Sequence, residues 1–337
     1  MSVLSTDVLI VGAGPVGLFA AFSCGMVRLS AVVVDALEAV GGQCSALYPE
    51  KPIYDIPGHP RITGQELIDR LVEQAAPFVP AYRLNRRIES LTRGEDGRWL
   101  AGTSAGEAID AAAVIVAAGA GAFGPNRPPL ANLAEFEGKS VFYMVRRRED
   151  FRGRRVVIAG GGDSAVDWAV SLAEVASEVH VVHRRPKFRA APESENRLHE
   201  LAAAGKVDLV VPYRLAGLVG KSGVLEAVAV ENLDGGRREI PADFLLPFFG
   251  LAASLGPIAD WGLDVVGRTV AVDPATSATS APGIFAAGDI CSYPGKLKLI
   301  LTGFAEAARA AHAAHDVARP DRPLHHRHST DTGVPGL

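Results

Sequence analysis

The 337-residue sequence contains only three cysteines, and their positions exclude several kinds of site. Cys24, Cys44 and Cys291 are widely separated, and no CxxC or CxxxC spacing occurs. An odd number of isolated thiols argues against a disulfide framework and against a zinc site. Such thiols are typical of a reducing compartment, so we expect a cytoplasmic protein without a bound metal.

The sequence also lacks a strong excess of charge and a convincing membrane span. Its formal net charge is -4 at pH 7, so no general attraction to nucleic acid or to anionic membranes is expected. Residues 8–27 contain no charged side chain, which is about the length of a transmembrane helix. However, Gly12, Gly14, Pro15 and Gly17 fall in the first half of this run. A buried strand leading into a helix is the better interpretation, and we expect neither a membrane nor a nucleic acid as a partner.

No Ser-His-Asp triad, pair of catalytic carboxylates or metal-binding cluster is recognisable in the sequence. Histidines gather towards the C-terminus, at His312, His315, His325, His326 and His328. A solvated, irregular tail explains them more simply than a metal site does. We therefore expect the chemistry to come from bound cofactors rather than from acid–base side chains.

Two segments of the chain have the pattern of a β-α-β unit. The first combines a strand at 6–11, a glycine turn at 12–17, a helix at 18–26 and a strand at 31–35. The second combines a strand at 155–159, a glycine turn at 160–162, a helix at 164–175 and a strand at 178–182. The two units share a register, because 23 positions separate Gly12 from Asp35 and Gly160 from His183. We therefore predict an α/β fold with two Rossmann-like, three-layer nucleotide-binding domains.

The order of the remaining patterns predicts that the second domain is inserted in the first. Strand patterns at 113–117 and 244–249 are both followed by a glycine, and the chain then continues through 284–289. An alanine-rich helix is expected at about 303–317. We expect one domain to comprise 1–119 and 251–337, and the inserted domain to comprise 120–250.

The first glycine turn, GAGPVG at 12–17, is a GxGxxG motif between a strand and a helix. Gly12 permits the tight turn, and Gly14 lets the backbone approach a pyrophosphate, with Pro15 in the same turn. Gly17 lets the helix pack closely on the strand, and the helix N-terminus favours phosphates. Asp35 ends the next strand, where a carboxylate accepts hydrogen bonds from ribose hydroxyls. This combination predicts a dinucleotide-binding site.

The second glycine turn, GGGDSA at 160–165, differs from the first at the ribose position. His183 stands in place of the acid, and arginines follow it. A carboxylate there would repel a 2′-phosphate, whereas guanidinium groups bind one bidentately. We expect this site to prefer NADP(H) to NAD(H); a solvated basic turn is the alternative. The residues predicted to bind this nucleotide are Gly160, Gly162, Asp163, Ser164, His183, Arg184, Arg185 and Arg189.

Several further motifs resemble those of the thioredoxin-reductase-like flavoproteins. Thr279, followed by the sequence AAGD at 286–289, resembles their second flavin motif, in which the aspartate binds the ribityl chain of FAD. GGGDSAVDWA at 160–169 and HRRPKFRA at 183–190 resemble their NADPH site. A thioredoxin reductase also needs a CxxC shortly before this glycine turn, and 136–155 contains no cysteine. A disulfide reductase is therefore the less favoured alternative.

The chain resembles instead the thioredoxin-reductase-like ferredoxin/flavodoxin–NADP+ reductases. GGQCSALYPEKPIYDIPG at 41–58, AAGAGAFGP at 117–125 and the tripeptide HST at 328–330 are similar to motifs of that family. The resemblance extends over nearly the whole chain. It implies FAD in the first domain, NADPH in the inserted domain, a homodimer, and ferredoxin and/or flavodoxin as the electron-transfer partner.

The resemblance also implies roles for individual residues around the flavin. Tyr48 would stack on one isoalloxazine face, with an ordinary buried aromatic residue as the alternative, and His328 of the partner subunit would cover the other face. His325 or His326 could take the place of His328, so the identity of the covering histidine stays open. The other residues implied in FAD binding are Gln43 at the flavin, Ile88 at the adenine, Phe123 and Thr330 along the flavin, and Asp289 at the ribityl chain.

Two further expectations concern electron transfer. The alanine-rich helix near Gly303 is expected to aim its N-terminus at the flavin, where the helix dipole would stabilise the reduced anion. The arginine-rich run at 146–155 is a candidate docking face for an acidic partner, with a solvated loop as the alternative. A redox-sensing flavoprotein without turnover is the rival function from outside the enzymes.

Overall fold

A computed structural model describes residues 3–324 and 328–335, without the side chains of 122, 123, 125, 251–253 and 332. The chain folds into two compact units, Met1–Phe123 with Ala253–Leu337 and Gly124–Ala252. The second unit is inserted in the first along the chain. This arrangement confirms the predicted α/β class.

The first segment of unit 1 carries the strands β1 (Val3–Val11), β2 (Ala31–Val34), β3 (Pro52–Ile53), β4 (Ile62–Thr63), β5 (Ala81–Arg83), β6 (Ile88–Arg93), β7 (Trp99–Thr103) and β8 (Ala108–Val116). Its helices are α1 (Pro15–Met26), α2 (Gln43–Leu47) and α3 (Gly64–Ala75), followed by a 3₁₀ turn at Ala76–Phe78. Helix α3 begins with a capping box, since Thr63 and Glu66 each accept a hydrogen bond from the other's backbone N–H.

Strand β9 (Ala122–Pro125) and strand β17 (Leu251–Ser254) pair with each other where the chain passes between the units. The strands between them are β10 (Arg155–Ala159), β11 (Glu178–Val182), β12 (Asp208–Val210), β13 (Arg214–Lys221), β14 (Val224–Glu231), β15 (Arg237–Pro241) and β16 (Phe244–Pro247). The helices of unit 2 are α4 (Leu133–Phe136), α5 (Asp163–Leu172) and α6 (Pro192–Ala203), with a 3₁₀ turn at Arg148–Phe151.

The last segment of the chain completes unit 1. Its strands are β18 (Val265–Val266), β19 (Thr269–Ala271), β20 (Ile284–Ala286) and β21 (Cys291–Ser292). Its helices are α7 (Ile300–Ala318) and α8 (Ser329–Thr332), with 3₁₀ turns at Gly256–Asp260 and Gly288–Ile290.

The main sheet of unit 1 has the strand order β5-β2-β1-β8-β7-β6, and β20 also pairs with β8. Strands β5, β2, β1, β8 and β20 are parallel, whereas β7 pairs antiparallel with β8 and β6 pairs antiparallel with β7. Val8, Leu9 and Ile10 are fully buried in the centre of this sheet. An apolar strand with both faces covered is typical of parallel sheets, which explains the uncharged run at 8–27.

Different elements cover the two faces of this sheet. Helices α1 and α7 pack on one face, where the rings of Phe19 and Phe304 lie 4.9 Å apart. The other face is covered by apolar residues of the segment 255–291, including Trp261 and Leu263. In the part of the chain that the structure describes, no helix is long and apolar enough to cross a membrane.

Unit 2 contains a parallel sheet with the order β12-β11-β10-β16. Helix α5 packs on it through Val166, Ala169 and Leu172, which are fully buried. A separate antiparallel sheet, β13-β14-β15, packs against the other side of this core around Val228 and Ile240. The sequence did not lead us to expect this antiparallel sheet.

Most expected elements are present, but their ends differ. Helix α5 starts one residue early, at Asp163, and ends at Leu172 instead of Val175. Within the segment 284–289, strand β20 ends at Ala286, and Gly288, with a φ of 82°, begins a 3₁₀ turn. Helix α7 begins at Ile300, before Gly303.

Candidate functional site

A cavity of about 400 Å³ lies in unit 1 where the parallel strands end. Its lining includes Gly12 after β1, Asp35 after β2, Ala117 after β8 and Asp289 after β20. Ligands of open α/β sheets bind at this carboxyl edge of the strands. The cavity is therefore where the sequence motifs predict a dinucleotide.

The three glycines of the first turn have different surroundings. A Cβ on Gly12, whose φ is 112°, would lie 2.4 Å from the carbonyl oxygen of Ala117. A Cβ on Gly17 would lie 1.9 Å from the carbonyl oxygen of Gly12. A Cβ on Gly14 would meet only the Cα of Gly42, at 3.9 Å, among the described residues. Gly12 and Gly14 line the cavity, whereas Gly17 serves the packing of α1 on the strand and does not line it.

Pro15 is the first residue of α1 and also lines the cavity. Proline suits this position because the first N–H groups of a helix have no partner within the helix. In the described structure no side chain caps the turn at Gly14. The free N–H groups and the positive end of the α1 dipole therefore face the cavity, which favours an anionic ligand.

Asp35 is held in a fixed orientation by backbone groups. Its Oδ2 accepts a hydrogen bond from Ala13 N at 2.6 Å, and its Oδ1 accepts one from Leu37 N at 2.8 Å. Burial raises the pKa of Asp35, and these two hydrogen bonds oppose that effect. The carboxyl group thus ties the glycine turn to the end of β2 and retains lone pairs for a ligand.

The loop after residue 40 closes the cavity from another side. Gly42 packs directly on the glycine turn, since a Cβ there would lie 3.0 Å from Gly14 Cα. Gln43 and Tyr48 line the cavity, one at each end of α2. The thiol of Cys44 donates a hydrogen bond to the Tyr48 hydroxyl at 3.7 Å, and burial raises the pKa of both groups. The tyrosine ring is therefore neutral and fixed at the cavity wall.

Ile88 and Asp289 also line the cavity, as the flavin-side motifs imply. Ile88 is buried at the start of β6, whereas Asp289 is exposed in the 3₁₀ turn after β20. Other cavity residues were not expected from the sequence, among them Arg86, Trp261 and Lys298. Arg86 is paired with Glu107 at 2.7 Å. Tertiary packing brings Arg86, Trp261 and Lys298 to the cavity, and no sequence motif identifies them.

Of the expected tail residues, the two that the structure describes, His328 and Thr330, do not line this cavity. His328 precedes α8, Thr330 lies within it, and both are exposed. His325 and His326 lie outside the described residues, as does the side chain of Phe123. The covering histidine is therefore not identified within the described part of the chain.

The second glycine turn repeats the geometry of the first. A Cβ on Gly160, whose φ is 153°, would lie 2.6 Å from the carbonyl oxygen of Phe248, just as Gly12 abuts Ala117. No described atom lies within 4 Å of a Cβ on Gly162. Asp163 starts α5, where Ser164 follows it, and its Oδ1 accepts a hydrogen bond from Ala191 N at 2.8 Å. The turn is therefore braced by the loop that leads into α6.

The residue at the second ribose position has a packing role of its own. The His183 ring occupies the space that a Cβ on Gly161 would need, at 2.3 Å, and stacks on Phe188 with centroids 5.2 Å apart. Burial and the nearby arginines lower the pKa of His183. Arg184, Arg185 and Arg189 are exposed. The positive charge of this site therefore comes from the arginines and not from His183.

The arginine-rich run at 146–155 is largely neutralised by acids within unit 2. Arg147 pairs with Asp150 at 2.6 Å, and Arg148 pairs with Glu174 at 2.9 Å. The other ion pairs of this run join Arg152 to Glu149 and Arg155 to Asp243. This pairing weakens the case for the run as a docking face and favours the alternative of a solvated loop.

The cysteines offer no redox dithiol. Cys24, Cys44 and Cys291 are all free and buried. Burial raises the pKa of Cys24 and of Cys291 to about 12, so both are protonated thiols. Within residues 3–324 and 328–335, no group of three or more His, Cys, Asp or Glu side chains is arranged to hold a metal ion.

Comparisons with known proteins agree with this geometry. Residues 6–317 match the family described as pyridine nucleotide-disulphide oxidoreductase. The chain is 67% identical over 330 residues to a ferredoxin–NADP reductase of Paramagnetospirillum magneticum, which covers 98% of each chain. It is 64% identical over 337 residues to a ferredoxin–NADP reductase of Rhodospirillum rubrum, which covers 99% of this chain and 98% of that one.

Among solved structures, the crystal structure of T. acidophilum thioredoxin reductase superimposes with a TM-score of 0.78. The match covers 93% of this chain and 98% of that chain, at 23% sequence identity. At this identity the likeness concerns the fold alone.

Proposed function

The chain belongs to the pyridine nucleotide-disulphide oxidoreductase family and, within it, to the ferredoxin–NADP reductases, and we propose that it carries electrons between NADPH and ferredoxin through FAD. One observation supports the assignment of the two nucleotides above all others. The two glycine turns share their backbone geometry, but Asp35 follows the first and exposed arginines follow the second. One turn suits an unphosphorylated ribose and the other a 2′-phosphate.

We propose that unit 1 is the FAD domain. FAD, when bound, supplies a ring that exchanges a hydride with nicotinamide and single electrons with an iron–sulfur protein. The cavity fits such a group, because Gly14 leaves open space where any side chain would intrude. In this proposal the N-terminus of α1 holds the pyrophosphate, Asp35 the ribose, Ile88 the adenine and Asp289 the ribityl chain.

The residues on the flavin side have orienting roles. Tyr48 would stack on one face of the ring, and Gln43 would contact its polar edge. Leu299 and Ile300 place the N-terminus of α7 at the cavity. The positive end of that helix dipole would stabilise negative charge on the ring, a contribution of roughly 0.3–1 kcal/mol in exposed sites and more in buried ones.

We propose that unit 2 binds NADPH. Its open Gly162 and the N-terminus of α5 would receive the pyrophosphate, with Gly160, Asp163 and Ser164 shaping the turn. Arg184, Arg185 and Arg189 would bind the 2′-phosphate. His183 would support the loop through the packing of its ring on Gly161 and Phe188. A flavodoxin is a second acceptor with the same one-electron chemistry.

The residue that covers the second flavin face and the homodimer are proposed from the family resemblance. His328, or one of its neighbours at 325 and 326, would cover the second flavin face from the partner subunit of a homodimer, with Thr330 and Phe123 beside the ring. The covering residue would have to move for nicotinamide to reach the flavin. A cytoplasmic location is also part of the proposal and agrees with three free thiols.

The rival functions differ in what they require. A disulfide reductase of this architecture needs a reactive dithiol, and the three thiols of this chain are isolated and buried. A redox sensor without turnover would bind both nucleotides and would transfer electrons to no protein acceptor. The relatives at 64–67% identity are reductases that act on ferredoxin and NADP by name, which favours the reductase.

The nucleotide assignments can be tested by anaerobic titration of the FAD-reconstituted protein. We expect stoichiometric FAD to bind, and we expect NADPH to bleach the flavin absorbance at far lower concentration than NADH does. Equal potency of NADH and NADPH would contradict the assignment of the arginine loop. Failure to bind FAD would contradict the assignment of the unit 1 cavity.

A further inference from the structure

The buried side chain of Glu306, on α7, lies at the centre of a cluster of polar groups beside the cavity. The side chain of Glu306 is fully buried, and that of Lys296, its ion-pair partner, is only 6% exposed. Besides Lys296 Nζ, the Glu306 carboxyl oxygens accept hydrogen bonds from Gly288 N at 2.8 Å, Tyr293 Oη at 2.6 Å and Cys291 Sγ at 3.4 Å. A buried carboxylate is costly unless it is paired and hydrogen-bonded. A buried acid with four hydrogen-bond donors around it indicates a specific structural role.

The donors around Glu306 are fixed in their protonated forms. Burial is the main cause that raises the pKa of Cys291 and of Tyr293 to about 12, and the neighbouring Glu306 adds to the effect. Both groups therefore donate to Glu306 throughout the physiological range of pH. We call this cluster of Glu306, Lys296, Gly288 N, Tyr293 and Cys291 the Glu306 clamp.

The clamp joins two cavity-lining elements. Glu306 lies on α7, six positions after its first residue, and receives the backbone N–H of Gly288, which starts the turn that carries Asp289. The same two elements also touch through their backbones, because a Cβ on Gly303 would lie 3.3 Å from Gly288 Cα. Glycine at position 303 allows this approach, and the hydrogen bond from Gly288 N to Glu306 stabilises it.

The two elements that Glu306 joins line the cavity on two sides. Gly288 and Asp289 line it on one side, and Leu299 and Ile300 line it at the N-terminus of α7. The Glu306 side chain is the hydrogen-bonded link between these two parts of the wall. Without this hydrogen-bonded link, the N-terminus of α7 and the Asp289 carboxylate would be free to shift relative to each other. Such a shift would change how both groups contact a bound ring.

We propose that Glu306, with Lys296 as its counter-ion, is a positioning residue that holds the N-terminus of α7 and the Gly288–Asp289 turn in one geometry, and thereby sets both the affinity for FAD and the reduction potential of the bound flavin. This role deepens the proposed function and rests on it. Glu306 does not line the cavity, so its effect on the flavin acts through Gly288 and α7.

The test compares three variants with wild type on the full-length protein. Glu306→Gln keeps the size of the side chain and removes the charge. Tyr293→Phe removes one donor to Glu306 and leaves the ion pair intact. Asp110→Asn is the matched control, because Asp110 pairs with Arg98 at 2.7 Å in the same unit and does not line the cavity. The readouts are the FAD dissociation constant, the midpoint potential of the bound flavin and the thermal midpoint of the apoprotein.

We expect Glu306→Gln to weaken FAD binding by about tenfold or more, a loss of about 1.4 kcal/mol or more. Its flavin potential should shift to more negative values, because a displaced helix N-terminus stabilises the reduced ring less. Tyr293→Phe should shift both quantities in the same directions by a smaller amount. Asp110→Asn should leave both quantities at wild-type values.

A drop in apoprotein stability with unchanged FAD affinity and unchanged potential would reduce Glu306 to a structural ion pair and overturn the proposal. If Glu306→Gln does not fold, Tyr293→Phe decides, and wild-type values of both quantities in that variant would overturn the proposal as well. A wild-type protein that binds no FAD would instead contradict the proposed function itself.

Discussion

In the proposed function, the nucleotide preference of each unit depends on a few side chains after its second parallel strand. Asp35 is half-buried and held by hydrogen bonds from Ala13 N and Leu37 N, which leaves an acid at the first ribose position. Arg184 and Arg185 are exposed after β11, and they place positive charge at the second. Two glycine turns of similar backbone geometry are thus given opposite charges by the residues that follow them.

Replacing one of these arginines should weaken NADPH selectively. A charge-assisted hydrogen bond contributes roughly 1.5–3 kcal/mol, so Arg184→Gln or Arg185→Gln should raise the KM for NADPH about 10- to 100-fold. The KM for NADH should stay within about twofold, because NADH has no 2′-phosphate. Arg197→Gln, which changes an exposed arginine of α6 in the same unit, is the control. A parallel loss with both nucleotides would mean that the loop was damaged.

The thiols should be unreactive in the folded protein. Cys24, Cys44 and Cys291 are buried, and burial raises the pKa of each, so little thiolate is present at pH 8. We expect an aromatic disulfide reagent to find none of the three thiols in the native protein and all of them after denaturation. New thiols that appear on reduction with NADPH would contradict the account and favour a disulfide reductase.

At the scale of elements, different glycines of the first turn serve folding and the cavity. Gly17 allows α1 to pack on the strand, and Gly14 faces the cavity. Substitutions at these two positions should therefore have separable effects.

Gly17→Ala should destabilise the protein, because the new Cβ would lie 1.9 Å from the backbone oxygen of Gly12. Overpacking of this kind costs about 1–3 kcal/mol. Gly14→Ala should leave the apoprotein stable and weaken FAD by about tenfold or more, since the methyl group occupies the pyrophosphate path. Thermal melts of the apoprotein and FAD titrations check both expectations. Equal loss of stability in the two variants would contradict the division.

Gly162→Ala is the corresponding test in unit 2. No described atom lies within 4 Å of the added Cβ, and Gly162 has an extended backbone that alanine adopts without strain. We expect an increased KM for NADPH with unchanged FAD affinity and unchanged thermal stability. A loss of FAD would show that the two sites are not independent.

The parallel units were predictable because their signals are local. Val8, Leu9 and Ile10 are apolar and buried on both faces, and the glycines that follow them mark a turn whatever the rest of the chain does. The same local reasoning placed the start of α7 too late, at Gly303. Leu299 and Ile300 before it have no helical signal of their own.

The clamp around Glu306 was not predictable in the same way. An acid in an alanine-rich helix has the pattern of a solvent-facing residue, and its donors lie 10–18 positions earlier in the chain. His183 is a second example, because its register indicated a ribose contact and its ring packs over Gly161. Both outcomes depend on which surfaces the fold brings together, and no short motif encodes them.

At the scale of the whole molecule, one chain combines two nucleotide-binding units of related design. The inserted unit brings its own parallel sheet and basic loop, and the surrounding unit provides the cavity and the N-terminus of α7. Because four of the arginines in the run at 146–155 pair with acids within unit 2, the docking face for an acidic protein stays a prediction.

The most direct test of the central claim is NADPH-dependent reduction of cytochrome c by the FAD-loaded protein, with and without ferredoxin. The account predicts a large rate that requires ferredoxin and NADPH, with little activity when NADH replaces NADPH. If ferredoxin and flavodoxin both failed to increase the rate while NADPH still bleached the flavin, the nucleotide sites would stand and the electron-transfer function would be contradicted.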